Sequence, residues 1–269
     1  MGKIVAACGV SHILMSPVGC EQAAQNVVDG FQTLGLKLLA AKPDIVLVIS
    51  SDHMFNIDLA MQPRFIIGMS DQFMPVGDMD IPRTPVTGNR ALAEAIVKQA
   101  DQDGFDLCQA EEYRLDHGVM VPLLFMGLSH LPVVPLIVNI NTQPMPSVLR
   151  CLTLAETLRQ AIETALPEDT RVAVVGAGGL SHWLCVPRHG EVDEIFDHHT
   201  MNELCAGRQT TLAQAGNADI IARGGNGGIE IINWLMAAQA AHSLGGEKIF
   251  YEPMRSWFTG LGGVLYHVN

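Results

Sequence analysis

Charged residues, paired cysteines and long apolar runs are all scarce in this 269-residue chain. Only 16% of the residues are charged while 48% are hydrophobic, which indicates that much of the chain lies in a core or an interface. The six cysteines are scattered, and none has the CxxC spacing of a metal or redox motif. In a chain of this size that pattern indicates reduced, mostly buried thiols, so we expect a cytoplasmic protein.

Signals that direct a chain to a membrane or to nucleic acid are missing as well. The start, MGKIVAACGVSH, has no basic leader followed by a long apolar stretch, and no window reaches about 18 consecutive apolar residues. The formal net charge of −12 argues against nucleic acid or an anionic membrane as a partner. These observations leave a small molecule as the expected ligand.

Apolar runs of two kinds alternate along the chain. Short β-branched runs such as IVLVIS (45–50) are typical of strands buried on both faces, and longer runs with apolar residues three and four apart predict amphipathic helices. The predicted strands are 3–8, 45–50, 64–69, 105–108, 132–140 and 171–178, and the predicted helical segments are 20–41, 89–100, 121–126, 146–165, 190–216 and 230–243. We therefore predict one α/β domain over residues 1–269, with a mainly parallel or mixed central sheet and helices on both faces.

Three histidines each follow a strand-like run. His12 follows KIVAACGVS, His53 follows DIVLVISSD and His182 follows RVAVVGAGGLS. Open α/β sheets build their sites outside the carboxyl ends of the strands, so we expect these side chains near one another. Glu230 follows the glycine-rich stretch RGGNGGI and opens an apolar, helix-like run. Two histidines and one carboxylate are the ligand set of a mononuclear non-haem Fe(II) site, which leaves the third histidine for proton chemistry.

Each of these residues also has a simpler interpretation. A histidine after a strand can be a loop residue hydrogen-bonded to backbone, and a glutamate near a helix N-terminus gains roughly 0.3–1 kcal/mol without any metal. The isoleucines on either side of Glu230 favour a buried position, however, and a buried carboxylate without a partner is costly. Ser11, Asp52 and Ser181 precede the three histidines, and we expect them to orient the rings through hydrogen bonds.

His117, in the sequence YRLDHG, is a further acid–base candidate, with Asp116 beside it. The alternative is that Asp116 simply caps the following helix. The stretch GAGG (176–179) follows a predicted strand but lacks the Lys-Ser/Thr ending and the full GxGxxG spacing. A nucleotide site is therefore not expected there.

In their order, the motifs GVSH, SDH, LDHG, GAGGLSH and the Glu of GGIEIINWL resemble those of the class III extradiol ring-cleavage dioxygenases, nearly from end to end. That family includes the catalytic subunit of protocatechuate 4,5-dioxygenase and 2,3-dihydroxyphenylpropionate 1,2-dioxygenase, and the tail FYEPMRSWFTGLGG most resembles the latter branch. The resemblance implies that His12, His53 and Glu230 bind Fe(II), and that His117 and His182 are the acid–base histidines. It also implies meta-cleavage of a catecholic substrate by O2, in the catabolism of aromatic compounds.

Two other functions are compatible with the same residues. Two histidines and a glutamate also form the ligand set of zinc hydrolases, and a non-catalytic partner subunit is the other alternative, although this chain retains every family ligand.

The substrate and the oligomeric state are less well defined. The segment between His182 and Glu230 looks shorter than in the dihydroxyphenylpropionate branch, which leaves substituted catechols, gallate-like compounds, bicyclic diols and 2-aminophenol open as substrates. Arg64, Arg188 and Arg255 are candidates for binding a substrate carboxylate, or they form surface ion pairs. The high apolar fraction predicts a homo-oligomer or association with a paralogous subunit.

Overall fold

A central mixed β-sheet organises the computed structural model, which describes residues 1–269. The ten strands are β1 (Lys3–Val10), β2 (Ile45–Ser50), β3 (Phe65–Gly68), β4 (Gln72–Phe73), β5 (Val86–Thr87), β6 (Cys108–Ala110), β7 (Val133–Val138), β8 (Arg171–Ala177), β9 (Gly246–Met254) and β10 (Thr259–Tyr266). Eight of them form one sheet in the order β6-β3-β7-β2-β8-β1-β10-β9, while β4 and β5 pair separately. The predicted α/β fold with a mixed sheet is confirmed.

Helices cover both faces of this sheet. They are α1 (Glu21–Ala40), α2 (Arg90–Gln102), α3 (His117–Phe125), α4 (Val148–Ala165), α5 (Glu194–Cys205), α6 (Gln209–Gly228) and α7 (Ile231–Ala240). Helices α2, α4 and α7 contribute to the core on one face, and α1 and α3 to the core on the other. No helix combines the length and the apolar character that are needed to cross a bilayer.

The apolar composition of the inner strands follows from their two-sided burial. All six residues of β2 are buried, as expected for a parallel strand with helices on both sides. Leu47 and Ile49 enter the core with α4 and α7, whereas Val46 and Val48 enter the core with α1 and α3. Burying one such side chain contributes about 1.5–3 kcal/mol. The inner strands therefore provide a well-packed support for the loops at their ends.

The edges of the sheet differ from the prediction. The segment 105–108 is a predicted strand, but β6 begins only at Cys108, because the N–H of Phe105 donates to the carbonyl of Ala100 in α2 and not to a neighbouring strand. The antiparallel hairpin of β9 and β10 was not predicted at all. Glycines at 260, 262 and 263 lower the strand propensity of β10, and pairing with β1 and β9 overrides that local preference.

The region between His182 and Glu230 is more divided than predicted. The segment 190–216 was expected to be helical, and it contains α5 and the start of α6, separated by a turn at 206–208. Helix α6 is interrupted at Gly216 and Gly225, where φ is 77° and 94°. Only glycine adopts such angles without strain, so the chain changes direction at these two positions.

Candidate metal centre

Three neighbouring strands in the centre of the sheet are each followed by a histidine at their carboxyl ends. Strands β1, β8 and β2 are adjacent and parallel, so the loops at their carboxyl ends lie side by side. His12, His182 and His53 belong to those three loops. All three side chains line one cavity together with His117 and Glu230. The sheet thus brings together five residues that are far apart in the sequence.

Glu230 lies between two of these histidines. Its Oε2 is 3.3 Å from His12 Nε2, and its Oε1 is 3.3 Å from His53 Nε2. The same Oε2 accepts a hydrogen bond of 2.9 Å from the N–H of Gly179. Burial raises the pKa of the Glu230 carboxyl, but His12 and His53 more than offset this and hold the pKa well below its usual range. The carboxylate is therefore buried, ionised and shared by two imidazoles.

His53 is oriented by a second carboxylate. Asp116 Oδ2 accepts a hydrogen bond of 2.9 Å from the backbone N–H of His53 and lies 3.0 Å from His53 Nδ1. Asp116 Oδ1 accepts a bond from the N–H of Gly118 and so caps α3, as the simpler interpretation of this residue predicted. Burial lowers the pKa of His53, but hydrogen bonds to Asp116 and Glu230 outweigh that effect and raise it to about 10. The Nε2 atom is left facing Glu230.

His117 is the first residue of α3, and its ring lies against the other two. Its ring centroid is 4.0 Å from that of His53 and 5.3 Å from that of His12. Its Nδ1 is 2.6 Å from Asp78 Oδ2. Burial lowers the pKa of His117 and the nearby His53 and His12 lower it further, to about 4, so the ring is neutral. Donor atoms of the three histidines all lie within 4.8 Å of one another.

His182 is buried in the loop that follows β8. Its Nδ1 is 3.0 Å from the carbonyl oxygen of Leu180, which fixes the orientation of the ring. A Cβ atom on Gly227 would lie 1.8 Å from His182 Nε2, so only glycine leaves room for the imidazole at this point. Burial lowers the pKa of His182, and the neutral form therefore predominates near pH 7.

The predicted orienting residues do not contact the histidines. Ser11 Oγ accepts a hydrogen bond from the N–H of Gly262, and Ser181 Oγ accepts one from the N–H of Asp193. Asp52 accepts hydrogen bonds from backbone N–H groups of the loop that follows it. Neighbouring side chains on extended backbone point to opposite sides, so a residue directly before a histidine is poorly placed to reach its ring.

The actual partners come from elsewhere in the chain. The sequence indicates only a capping role for Asp116, and Asp78 lies in the Pro- and Gly-rich loop 70–88, where no sequence pattern indicates its role. The Leu180 carbonyl is a backbone group that no side-chain pattern reveals. His12 Nδ1 is buried and has no hydrogen-bond partner. Only the LDHG motif contained a signal that could have identified one of these partners.

A cavity of about 870 Å³ opens onto these residues. Its walls beyond the five polar residues come from the loops after β1, β2, β4 and β7, from the segment after His182, from the end of α6 and from the turn before β10. Most of the wall side chains are apolar, and they are Ile13, Met15, Met54, Met79, Ile140, Leu184, Cys185, Trp257 and Phe258. A volume of this size and an apolar lining are typical of a small-molecule site.

None of the three candidate arginines lines this cavity. Arg188 pairs with Glu191 and stacks over the ring of Trp183, and Arg255 pairs with Glu194. Arg64 is exposed. These side chains are therefore not placed to bind a substrate carboxylate in the cavity.

The donor set fits a divalent transition metal. Two donors that are each about 2.1 Å from one ion lie about 3.0–3.4 Å apart at right or tetrahedral angles. The distances of 3.3 Å from the Glu230 oxygens to His12 and His53 fall in that range. In known proteins, two imidazoles and one carboxylate on one face of the ion are a ligand set of non-haem Fe(II) that leaves positions for other ligands.

The Asp116→Asn variant is expected to bind metal about 10–100-fold more weakly than the wild type, because it removes the charge that orients His53. Asparagine preserves the cap of α3, since it accepts the same hydrogen bond. Competition with a chromophoric chelator measures the affinity. Asp193→Asn is the matched control, because Asp193 caps α5 through the N–H of Phe196 and does not contact the metal site. Equal affinity in the two variants would contradict the role of Asp116.

Comparison with known proteins identifies the family. The family of the catalytic LigB subunit of aromatic ring-opening dioxygenase matches residues 7–262. The 2,3-dihydroxyphenylpropionate/2,3-dihydroxicinnamic acid 1,2-dioxygenase of Photorhabdus laumondii is 25% identical, with 91% of this chain and 90% of that protein covered. The enzyme of the same name from Rhodococcus jostii is 25% identical, with 96% of each chain covered. The crystal structure of the uncharacterized protein JW3007 from Escherichia coli has a TM-score of 0.62 at 15% identity over 98% of this chain and 100% of that one, which shows the fold alone.

The family match covers all five residues of the centre and most of the sheet. It therefore confirms the resemblance and the prediction of a ring-cleavage dioxygenase. The alternatives of a zinc hydrolase and of a non-catalytic partner find no support in it. The chain belongs to the family of catalytic LigB subunits of aromatic ring-opening dioxygenases.

Proposed function

We propose that the protein is an Fe(II)-dependent extradiol dioxygenase that inserts both atoms of O2 into a catecholic ring and opens it by meta-cleavage to a muconic semialdehyde-type product. The observation that carries the proposal is one buried carboxylate held between two imidazoles on the wall of an apolar cavity. The relatives named as dihydroxyphenylpropionate dioxygenases support a catecholic substrate. We assign His12, His53 and Glu230 as the Fe(II) ligands, and His117 and His182 as the proton-transfer residues.

The ligands have two tasks in this proposal. When bound, Fe(II) would hold the catechol and O2 on one ion and relieve the spin restriction on their reaction. Two neutral imidazoles and one carboxylate leave one net positive charge at the site, which favours a deprotonated catechol. Asp116 keeps the ring of His53 aligned for this task.

The two remaining histidines are suited to move protons. Nδ1 of His117 and Nδ1 of His182 are engaged by Asp78 and by the Leu180 carbonyl, so Nε2 of each neutral ring is free to accept a proton from the substrate. Burial lowers the pKa of both rings, so each starts neutral and can take up a proton. We assign His182 as the general acid of the later, ring-opening step.

Binding of the metal is expected to release a proton from His53. With its pKa raised to about 10, His53 is protonated in the metal-free protein near pH 7, and a metal ligand must be neutral. The apparent affinity should therefore rise about tenfold per pH unit between about pH 6 and pH 8. Calorimetry in buffers of different ionisation enthalpy counts the protons released, and a count of zero would contradict this expectation.

The same shift predicts how the metal-free protein responds to pH. The folded-state pKa of His53 lies above the ordinary value of 6.5, so its ion pairs contribute stability below pH 6.5 that is lost as the pH rises towards about 10. Chemical denaturation of the metal-free protein over this range should show a falling free energy of unfolding. Constant stability over that range would contradict the assignment of the raised pKa.

The experiment that tests the proposed function is anaerobic reconstitution with Fe(II), followed by addition of O2 and a panel of catechols with 2-aminophenol. We expect stoichiometric O2 uptake and a yellow ring-opened product. Protein loaded with Zn(II) is the control and should consume no O2. Fully iron-loaded protein that opens no member of the panel would overturn the proposal, and so would activity retained in the zinc-loaded protein.

A further inference from the structure

Beyond the metal centre, the wall of the cavity contains no fixed charge. None of its 18 residues is a lysine or an arginine, and Glu230 is its only carboxylate. The chain as a whole has a formal charge of −12, so no general positive potential replaces the missing cation. An anionic group on a substrate would find no counter-ion here other than the metal.

The uncharged polar side chains of the wall each form a hydrogen bond to the backbone. The side chain of Asn226 forms two hydrogen bonds of 2.9 Å with the backbone of Leu184. Asn141 donates through Nδ2 to the carbonyl of Asp52 at 2.5 Å, and the hydroxyl of Thr259 donates to the next carbonyl along the chain at 3.0 Å. These bonds hold the loops in place, and none of the three side chains carries a charge that could offset that of a substrate carboxylate.

Flexible apolar side chains surround the opening of the cavity. Met15, Met54 and Met79 come from three different loops and are 46%, 50% and 40% exposed. Trp257 and Phe258 complete the apolar wall, and the indole N–H of Trp257 donates to the carbonyl of Ser16. Methionine adapts its shape to an apolar ligand at little cost, so this wall suits hydrocarbon groups of varied form.

From these observations we propose that the preferred substrate is a catechol that carries an uncharged, apolar alkyl or aryl substituent rather than a carboxylate. The inference rests on the proposed extradiol function and adds the substrate class to it. A carboxylate on a short arm would lose its water among apolar side chains without gaining a partner. A hydrocarbon arm of the same length removes apolar surface from water on both sides of the contact.

The test compares three catechols of similar size. They are 3-propylcatechol, 3-(2,3-dihydroxyphenyl)propionate and the methyl ester of that acid. The ester keeps the arm of the acid but has no negative charge, so it separates the effect of charge from that of substituent volume. With the iron-loaded enzyme we expect kcat/KM for the propyl compound and for the ester to exceed that for the acid by about tenfold or more. An equal or higher kcat/KM for the acid would overturn the inference.

Binding measured without turnover separates this inference from the proposed function. Calorimetry with the zinc-loaded protein should give a dissociation constant for the acid about tenfold or more above that for the propyl compound. If the iron-loaded enzyme opens none of the three rings, the proposed function fails, while these dissociation constants still decide the preference for an uncharged arm. Tighter binding of the acid would overturn that preference.

A substitution that adds a cation provides the positive test. Leu184 lines the cavity and is 42% exposed, so Leu184→Arg adds a guanidinium to the wall. We expect this variant to shift the ratio of kcat/KM towards the acid by about tenfold. Leu59→Arg is the matched control, because Leu59 is 83% exposed and lies outside the cavity. An equal ratio in both variants would count against the inference.

Discussion

The Glu230→Gln variant is expected to lose nearly all bound metal while it remains folded. The substitution preserves the volume of the side chain and an oxygen that can accept the hydrogen bond from Gly179. It removes the charge that both His12 and His53 face at 3.3 Å. Loss of an orienting partner of a ligand already costs about 10–100-fold in affinity, so loss of the ligand should cost at least about 100-fold. Oxygen uptake should fall to about 1% or less.

Metal content after dialysis measures the loss of the ion. The free energy of unfolding shows whether the variant remains folded. Glu112→Gln is the control, because Glu112 is exposed and outside the cavity, and it should retain full metal content and activity. Full iron occupancy in Glu230→Gln would refute the assignment of Glu230 as a ligand. If Glu230→Gln loses metal because it unfolds, its free energy of unfolding will also fall. An unchanged free energy of unfolding shows that the loss of metal is a direct effect.

The second large effect is expected for His182→Ala, which should reduce kcat by about 10²–10⁴-fold with iron still bound. His182 Nε2 is free to exchange a proton because Nδ1 is engaged by the Leu180 carbonyl, and burial lowers the pKa of the ring so that it starts neutral. Alanine removes the imidazole that this loop presents to the cavity. The proposed metal ligands are not changed.

Three measurements distinguish this role from a structural one. Iron content and the anaerobic dissociation constant of a catechol should stay within about threefold of the wild type, while kcat falls and the pH profile of kcat loses one limb. His130→Ala is the control, since His130 is exposed and outside the cavity, and it should behave as wild type. Normal turnover in His182→Ala would refute the role of this histidine.

The parts of the structure that follow from local patterns were predictable from the sequence. The β-branched runs at 45–50 and 171–178 identify β2 and β8, since strands buried on both faces need apolar side chains throughout. The rule that sites form beyond the carboxyl ends of parallel strands then leads to the histidines that follow them. What the pattern could not provide is the order of the strands, which makes β1, β8 and β2 neighbours.

The contacts between distant segments could not be predicted. Asp78 lies 39 residues before His117 in an irregular loop, and nothing local relates the two. Strand β10 has a glycine-rich sequence of low strand propensity and is stabilised by its pairing with β1 and β9. The absence of arginine from the cavity is likewise a property of side-chain placement, because Arg188 and Arg255 are close in the sequence to residues that do line it.

The carboxylate of Asp116 has a consequence beyond the orientation of one ring. One of its oxygens holds His53 and the other closes the first turn of α3, the turn that begins with His117. Whatever favours the aligned position of His53 therefore also favours the folded first turn of α3, and thermodynamic linkage makes this relation reciprocal. On the proposed assignments, an ion bound by His53 would therefore be coupled to the proton-transfer residue His117 without contacting it. Under the same proposal, fraying of the first turn of α3 would weaken the binding of the ion, and loss of the ion would favour fraying.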